Sequence, residues 1–290
     1  MIRARKRFGQ HFLEPVWVDK VIKAINPQPT QDFIEIGPGP GALTGPLTQR
    51  ARSVTAFEID RDLASELEVD APPNLTVVQG DFLEREISDF RLLSSAGLRV
   101  AGNLPYNVAS AIIFRLVELH AAAVPLVDAT LMLQREVADR LVAGPGSKEY
   151  GVLSILIGHA ADVDTVLKLP AGAFRPPPKV LSSLVRLRFR EPRPAVKDPA
   201  LFARIVQAVF TRRRKTMANA LLALDDAGLK PCATSTDSGA SLAHLSATSI
   251  RPAEALAAAA LDGSRRPETL SIAEFAALAD AYVLRRRAVL

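Results

Sequence analysis

The chain has 290 residues, of which 48% are hydrophobic, and this excludes wholesale disorder while allowing one large core or one large and one small domain. Lys and Arg (36) exceed Asp and Glu (31), which gives a net charge of +5 and favours polyanionic partners. The single cysteine, Cys232, excludes an intramolecular disulfide and favours a reducing, cytoplasmic compartment. No apolar run approaches the ~20 residues that cross a bilayer, so we expect no membrane span and no signal peptide.

Short apolar runs alternate with helical patterns over the first 190 residues, as in layered α/β sheets. The runs that predict strands are Phe33–Ile36, Val54–Phe57, Leu75–Val78, Leu98–Ala101, Ala129–Leu133, Val152–Ile157 and Leu184–Phe189. The first four are short and mainly apolar, which is typical of parallel strands covered on both faces. In the last run, Leu184, Arg186 and Arg188 alternate with the apolar Val185, Leu187 and Phe189. The late runs are therefore expected to form an antiparallel edge.

A stiff polar link, Glu191–Pro194, precedes a C-terminal part that reads almost entirely as helix. We therefore expect an α/β domain over residues 1–191, with a basic N-terminal segment 1–13, and a small all-helical domain over residues 192–290. No internal repeat is evident.

Two helix starts are predicted in this C-terminal part. Asp198 can cap a helix whose first turn begins with Pro199, a residue with a suitable fixed φ angle. Ser271 and Glu274 have the spacing of a capping box before another helix.

The basic residues are concentrated in clusters, which create positive potential that attracts a polyanion. The clusters are Arg3, Arg5, Lys6 and Arg7; Arg212, Arg213, Arg214 and Lys215; Arg265 and Arg266; and Arg285, Arg286 and Arg287. A single run of this kind is usually a solvated helix face, so the inference depends on the recurrence.

A glycine-rich loop that begins at Gly37 follows the first predicted strand, where glycines let a ligand approach the bare main chain. Glu58 ends the next strand, where a carboxylate can accept hydrogen bonds from ribose hydroxyls. The loop is GxGxG rather than GxGxxG, and Glu35 places negative charge where a diphosphate would lie. S-adenosylmethionine, a cationic nucleoside without phosphate, fits these requirements, and Asp81 could accept a hydrogen bond from its adenine amino group. The glycines and Asp81 also have purely structural uses in turns.

The tetrapeptide Asn103-Leu104-Pro105-Tyr106 follows the fourth predicted strand, at the edge where open α/β sheets bind ligands. It suits methylation of an exocyclic amino group, whose lone pair is delocalised into the base. The Asn103 side-chain oxygen and a backbone carbonyl, expected from Leu104, would accept the two N–H bonds, and Tyr106 would stack on the base. These four residues are the predicted catalytic set, with neither a metal nor a strong general base. The base must be unpaired or flipped out.

Seven segments, read in order, resemble one family over almost the full chain. They are Lys6-Arg7-Phe8-Gly9-Gln10-His11-Phe12-Leu13, Glu35 to Thr44, Glu58-Ile59-Asp60, Gly80-Asp81-Phe82-Leu83, Asn103 to Asn107, Phe174 to Val180 and Phe210 to Thr216. The family is that of the bacterial small-subunit (16S) ribosomal RNA adenine N6,N6-dimethyltransferases, the KsgA type. The resemblance implies a Rossmann-like class I S-adenosylmethionine-dependent methyltransferase sheet, a small all-helical C-terminal domain, and dimethylation of two adjacent adenines near the 3′ end of the RNA.

The same resemblance implies roles for individual residues and identifies the partners. By this resemblance, the cofactor, or its product S-adenosylhomocysteine, is contacted as follows: His11 and Leu13 close over it, Gly37 contacts its amino-acid portion, Glu58 its ribose, Ile59 and Asp81 its adenine, and Asn103 the reacting centre. Phe174 would help to sandwich the target base, and Arg212, Arg213, Arg214 and Lys215 would meet RNA phosphates. Ile59 and Phe174 are equally explained as core residues. The expected partner is small-subunit ribosomal RNA or the immature 30S subunit, bound by a monomer.

Two departures from the family pattern are His11, often Asn, and Leu181, often Asp. His11 keeps a hydrogen-bonding ring, whereas Leu181 cannot replace a carboxylate. Three alternatives share parts of the pattern: a large-subunit ribosomal RNA methyltransferase of the macrolide-resistance type, a non-catalytic ribosome-assembly factor on the same scaffold, and a DNA amino-methyltransferase. Gly9-Gln10 and the Arg-Arg-Lys-Thr helix start favour the small-subunit enzyme, and Glu58, Asp81 and Asn103 argue for retained catalysis.

Overall fold

A computed structural model describes residues 11–226 and 251–288 of the chain. The basic cluster of residues 3–7, Gly9-Gln10 and Cys232 lie outside the described residues, as do the side chains of residues 285–287. The chain divides into two compact units, one made of Met1–Asp139 and Ala161–Arg190 and the other of Arg140–Ala160 and Glu191–Leu290. The division at Glu191 lies next to the predicted boundary, but Arg140–Ala160, which the sequence placed in the first domain, groups with the second unit.

The first unit contains a mixed seven-stranded sheet and a separate two-stranded ribbon. The strands are β1 (Phe12–Leu13), β2 (Asp32–Ile36), β3 (Ser53–Glu58), β4 (Leu75–Gln79), β5 (Leu98–Asn103), β6 (Leu126–Gln134), β7 (Ala161–Leu169), β8 (Phe174–Arg175) and β9 (Ser182–Phe189). The order in the large sheet is β4-β3-β2-β5-β6-β9-β7, and β1 pairs with β8 in the ribbon. Strands β2 to β6 run parallel, whereas β9 is antiparallel to both β6 and β7.

The helices of the first unit follow the strands in the alternation that the sequence predicts. They are α1 (Pro15–Ile25), α2 (Thr44–Thr48), α3 (Arg61–Val69), α4 (Ile87–Arg91), α5 (Ala109–Ala121) and α6 (Arg135–Val142), the last of which runs into the second unit. Those of the second unit are α7 (Val152–Ala160), α8 (Pro199–Thr211), α9 (Met217–Ala220), α10 (Ala223–Asp226), α11 (Pro252–Ala258) and α12 (Ile272–Ala288). The Rossmann-like sheet and the helical C-terminal part are therefore both confirmed.

Two of the strand predictions were wrong. The run Val152–Ile157 lies in helix α7, because a short apolar run has no periodicity that separates a buried strand from a buried helix. Strand β9 is antiparallel as expected but lies inside the sheet, and the edge is β7, which the sequence analysis missed. Charged side chains such as Asp162 and Asp164 interrupt β7, as is common on edge strands that must not pair with other chains.

Strands β2 and β5 meet where the strand order reverses, which is the position at which open α/β sheets bind ligands. All five residues of β2 are buried. A Cβ atom added to Gly102 of β5 would lie 2.7 Å from the Ile36 carbonyl oxygen of β2, so glycine is required for this close approach. The carboxyl ends of the two strands, and the loops that follow them, are thereby held together.

A buried ion pair ties the other end of this sheet to α1. The Arg99 guanidinium donates two hydrogen bonds of 2.8 Å to the Asp128 carboxylate, and Nη2 also donates to the Ile25 carbonyl at 2.9 Å. Arg99 and Asp128 are both less than a tenth exposed. The arginine therefore satisfies a carbonyl at the C-terminus of α1, where a cation is favoured.

The predicted helix starts of the second unit are confirmed. The Asp198 carboxylate accepts a hydrogen bond of 2.9 Å from the Leu201 backbone N–H at the start of α8. The Ser271 hydroxyl accepts from the Glu274 N–H at 3.2 Å, and Glu274 accepts from the Ser271 N–H at 2.7 Å, which is the reciprocal pair of a capping box. Around these helices lies a separate apolar core that includes Tyr150 and Ile155 of the 140–160 segment.

Over residues 11–226 and 251–288, none of the helices combines the length and the apolarity that a bilayer crossing requires.

Candidate functional site

An open cavity of about 1040 Å³ lies at the carboxyl ends of the parallel strands in the first unit. Each of the four strands β2 to β5 contributes its last residue or the loop that follows it. The cavity is lined by every residue predicted to bind the cofactor or to act in catalysis: His11, Leu13, Gly37, Glu58, Ile59, Asp81, Asn103, Leu104, Pro105 and Tyr106. Residues that are up to 95 positions apart in the chain are thus brought to one site, as the order of the motifs predicts.

The glycine-rich loop after β2 depends on backbone angles that favour glycine. Gly37, Gly39 and Gly41 have φ angles of +67°, +57° and +85°. The Gly37 N–H donates to the Phe57 carbonyl at 2.9 Å, which fixes the start of the loop against β3. The loop therefore presents its main chain, without side chains at Gly37 and Gly39, to the cavity.

Glu58 braces this loop from the end of β3. Its Oε2 accepts a hydrogen bond from the Gly39 N–H and its Oε1 accepts from the Asp60 N–H, both at 2.9 Å. Burial raises the pKa of the Glu58 carboxyl, and these two N–H groups oppose the rise. Because each carboxylate oxygen can accept a second hydrogen bond, Glu58 can brace the loop and also receive a ribose hydroxyl. The bracing role was missed in the sequence analysis.

Ile59 and Asp81 form the side of the cavity that the sequence assigns to adenine. The Ile59 side chain is 46% exposed although it lines a cavity, so it is available to an apolar ligand surface and is not a core residue. Asp81 Oδ1 accepts from the Leu83 N–H at 2.9 Å and caps the short 3₁₀ turn Phe82–Glu84. Among the described residues only this oxygen of Asp81 is engaged, so Oδ2 remains as an acceptor. The contacts with adenine themselves stay predictions.

Asn103 is the last residue of β5, and its side-chain amide is oriented by the N-terminal segment. One of its two Nδ2 N–H groups donates to the His11 carbonyl at 2.6 Å, which orients the amide. In this orientation Oδ1 is available to a ligand as a hydrogen-bond acceptor. The following residue, Leu104, is only 1% exposed, and its N–H donates to the Met132 carbonyl of β6 at 3.3 Å. The backbone after Asn103 is thus held in place by the neighbouring strand.

Tyr106 is half-buried and is held by two contacts. Its hydroxyl lies 3.0 Å from the Ser182 Oγ, and its ring stacks on the His11 ring with centroids 5.5 Å apart and an interplanar angle of 25°. Burial raises the pKa of the Tyr106 hydroxyl, so the side chain is neutral at pH 7. The His11 Nδ1 donates to the Pro176 carbonyl at 2.7 Å. One face of the predicted base-stacking ring is therefore covered by His11.

Glu35 is a cavity residue that the sequence analysis placed beside the ligand but to which it assigned no binding role. It is 1% exposed, lines the cavity, and its Oε2 has no hydrogen-bond partner among the described residues. Burial raises its pKa to about 7, the Thr44 hydroxyl opposes the rise, and the nearby Glu58 carboxylate adds a smaller upward contribution. Its position before the glycine-rich loop was the available signal, and it was used there only to argue against a diphosphate.

Phe174 and Leu181 lie in the segment that the family resemblance places near the target base. Phe174 is 3% exposed, pairs with Leu13 between β8 and β1, and does not line the cavity, in agreement with the core alternative. Leu181, at the position where the family often has Asp, is 46% exposed, and its carbonyl accepts from the Arg135 N–H at 2.9 Å. A backbone hydrogen bond, which needs no carboxylate, holds this loop.

The predicted phosphate-binding cluster lies at the end of α8 in the second unit, and none of its residues lines the cavity. The Arg213 Nη2 donates to the Ser147 carbonyl at 3.2 Å, and its Nε lies 3.9 Å from the Glu268 carboxylate. Arg214 and Lys215 are exposed. Arg213 is therefore partly engaged within the unit, whereas Arg214 and Lys215 are accessible to a polyanion.

Three comparisons relate the chain to known proteins. The family described as ribosomal RNA adenine dimethylase matches residues 1–250. The ribosomal RNA small subunit methyltransferase A of Acinetobacter baylyi is 40% identical over 287 residues, which cover 97% of this chain and 93% of that one. The protein of the same name from Xylella fastidiosa is 45% identical over 222 residues, which cover 75% and 83%.

Two solved structures share the fold. A dimethyladenosine transferase from Plasmodium falciparum superposes with a TM-score of 0.68 at 23% identity, covering 92% of this chain and 96% of that one. The 23S rRNA methyltransferase ErmE superposes with a TM-score of 0.63 at 25% identity, covering 93% and 98%. With the match of the family over residues 1–250 and the identity to two relatives at 40% and 45%, this chain belongs to the ribosomal RNA adenine dimethylase family.

Proposed function

We propose that this protein is an S-adenosylmethionine-dependent enzyme that dimethylates N6 of two adjacent adenines near the 3′ end of small-subunit ribosomal RNA. The orientation of Asn103 is the observation that carries the proposal, because its amide presents an acceptor at the carboxyl end of β5. Membership in the family and the names of the relatives at 40–45% identity support the same activity. The enzyme would act in small-subunit biogenesis.

The chemistry of the cavity fits S-adenosylmethionine. No Lys or Arg side chain is among the described residues that line it, and the orphaned Oε2 of Glu35 favours a cationic ligand over a phosphate. Gly37, Glu58 and Asp81 would hold its amino-acid portion, ribose and adenine, with His11 and Leu13 covering it. When bound, the cofactor supplies an electrophilic methyl group on a sulfonium.

Asn103 and Leu104 would position the nucleophile. The Asn103 Oδ1 and the Leu104 carbonyl accept the two N–H bonds of the adenine amine and draw its lone pair out of conjugation. The residues would thus hold the amine ready to accept the methyl group that the donor supplies, with the amine proton leaving to solvent. Tyr106, neutral and anchored at its hydroxyl, offers an aromatic face to the flipped base.

The relatives distinguish the small-subunit substrate from the large-subunit alternative. Both proteins at 40–45% identity carry the small-subunit name, whereas the large-subunit enzyme ErmE is 25% identical. The same site geometry serves either RNA, so the choice rests on this difference in identity. The exposed Arg214 and Lys215 of the second unit would meet phosphates of the immature 30S subunit, bound by a cytoplasmic monomer.

The experiment that tests the proposal uses a labelled methyl donor and small subunits from a strain that lacks this modification. We expect label in two neighbouring adenines near the 3′ end, and its near-complete loss in Asn103→Ala with donor binding largely retained. Ser110→Ala, an exposed position on α5, is the matched control and should keep full activity. Label in large-subunit RNA would show that the protein is the alternative, large-subunit enzyme. Full activity of Asn103→Ala would refute the proposed role of the amide.

A further inference from the structure

The cavity is lined by a buried carboxyl group, that of Glu35, one oxygen of which has no hydrogen-bond partner among the described residues. Glu35 pairs with Ala56 of β3 on one side and with Ala101 of β5 on the other, so the residues directly opposite it carry no polar side chain, and the nearby polar group of β3 is the like-charged Glu58. Its Oε2 and the Thr44 Oγ1 of α2 are both buried without a hydrogen-bond partner among the described residues. An orphaned buried carboxyl of this kind is costly unless it is neutral or a ligand pairs with it.

The charged surroundings of Glu35 favour the neutral form when no ligand is bound. The other titratable side chains that line the cavity are His11, Glu58, Asp81 and Tyr106, and no Lys or Arg among the described residues joins them. Glu58 and, behind it, Asp60 are like charges at the end of β3. The Glu58 carboxylate is stabilised by two backbone N–H groups, whereas Glu35 receives none. Glu35 is therefore the carboxyl of the pair that holds a proton more readily.

We propose that Glu35 selects the cationic methyl donor over its product by proton exchange: it is protonated in the free site, loses the proton when the donor binds, and regains one when the sulfonium charge disappears. This inference rests on the proposed function, since it assumes that the ligand is S-adenosylmethionine. It adds a specificity-determining residue to those that hold the cofactor.

The exchange reduces uncompensated charge in the buried site at each stage. With a pKa of about 7, Glu35 is neutral in about half of the free sites at pH 7, and the donor complex holds a carboxylate paired with a cationic ligand. After transfer, the sulfur is uncharged, the amine nitrogen has lost one proton, and Glu35 has taken one from solvent. Protons and charge therefore balance over the reaction. A pKa of about 7 for the free site places this exchange within the physiological range, because a cation near the carboxyl lowers its pKa.

Calorimetry in buffers of different ionisation enthalpy measures the proton count directly. At pH 7 we expect S-adenosylmethionine to release roughly half a proton per site and S-adenosylhomocysteine to release almost none. As the pH is raised toward 7, donor affinity should increase by up to about tenfold per pH unit, and above pH 7 it should level off. Product affinity should change much less over the same range. Equal proton counts for the two ligands would overturn the inference.

Glu35→Gln is the decisive variant, and Glu66→Gln, an exposed carboxylate on α3, is the matched control. Proton release should vanish in Glu35→Gln and persist in Glu66→Gln. Release that survives in Glu35→Gln would assign the proton to another group and refute the inference. If Glu35→Gln does not fold, the comparison of donor and product in the wild type still decides. If neither ligand binds, the proposed function is refuted. If both ligands bind with equal proton counts, only the role of Glu35 is refuted.

Discussion

Replacing Glu35 with Gln should change the pH dependence of the stability of the ligand-free protein. The folded chain raises the pKa of Glu35 from 4.5 to about 7 because the carboxyl is buried. The folded state thus binds this proton more tightly than the unfolded state, so its stabilising effect is complete below pH 4.5 and is lost as pH rises through 7. The difference between the two pKa values corresponds to about 3 kcal/mol of unfolding free energy, of which about 2 to 3 kcal/mol should be lost between pH 5 and pH 8.

The assay is urea-induced unfolding of the wild type and Glu35→Gln at several pH values, followed by the fluorescence of Trp17, the only tryptophan of the chain. Trp17 lies on α1 in the same unit as Glu35, so it reports the relevant transition. Other titrating groups cancel in the difference between the two proteins. The unfolding free energy of the variant should increase relative to that of the wild type as pH rises, because any destabilisation by the buried amide does not depend on pH. A difference that stays constant from pH 5 to pH 8 would refute the account of Glu35.

Three further predictions concern stability and RNA binding. Gly102→Ala should lower the unfolding free energy by about 2 kcal/mol in urea titrations, because its methyl group would collide with β2, whereas Gly45→Ala, in open space on α2, should raise it by about 0.5 kcal/mol. Arg99→Met should cost about 3 kcal/mol in the same assay, since it removes both hydrogen bonds from the buried carboxylate of Asp128 and leaves it only the Arg186 guanidinium, 3.9 Å away; a loss below about 1 kcal/mol would contradict this. Arg214→Ala should reduce the salt dependence of RNA affinity by about one phosphate contact without changing donor affinity, and an unchanged salt slope would remove it from the RNA surface.

The part of the site that the sequence could predict is the part that parallel strands bring together automatically. Gly37, Glu58, Asp81 and Asn103 each end or follow a parallel strand, so their convergence at one edge follows from the strand order alone. What the sequence could not predict depends on contacts between distant segments. The hydrogen bond from Asn103 to the His11 carbonyl joins residues 92 positions apart, and no local pattern records it.

The errors of the fold prediction have physical causes that can be named. An apolar run as short as Val152–Ile157 satisfies the hydrophobic requirement of a buried helix and of a buried strand equally well. Strand β7 was passed over because Asp162, Asp164 and Lys168 break its apolar run, although Ala161, Val163, Leu167 and Leu169 preserve part of a period of two. That alternation was the signal that could have identified it.

The route of the chain through its two compact units limits how the protein can be shortened. Because α7 is donated to the second unit from the middle of the chain, a fragment that stopped at Arg190 would keep this helix and lose the core that buries it. The complementary fragment from Glu191 onward would lack Tyr150 and Ile155 and begin with a gap in its interior. We therefore expect neither fragment to fold stably alone. The helical unit cannot be exchanged or deleted by a simple cut near Glu191.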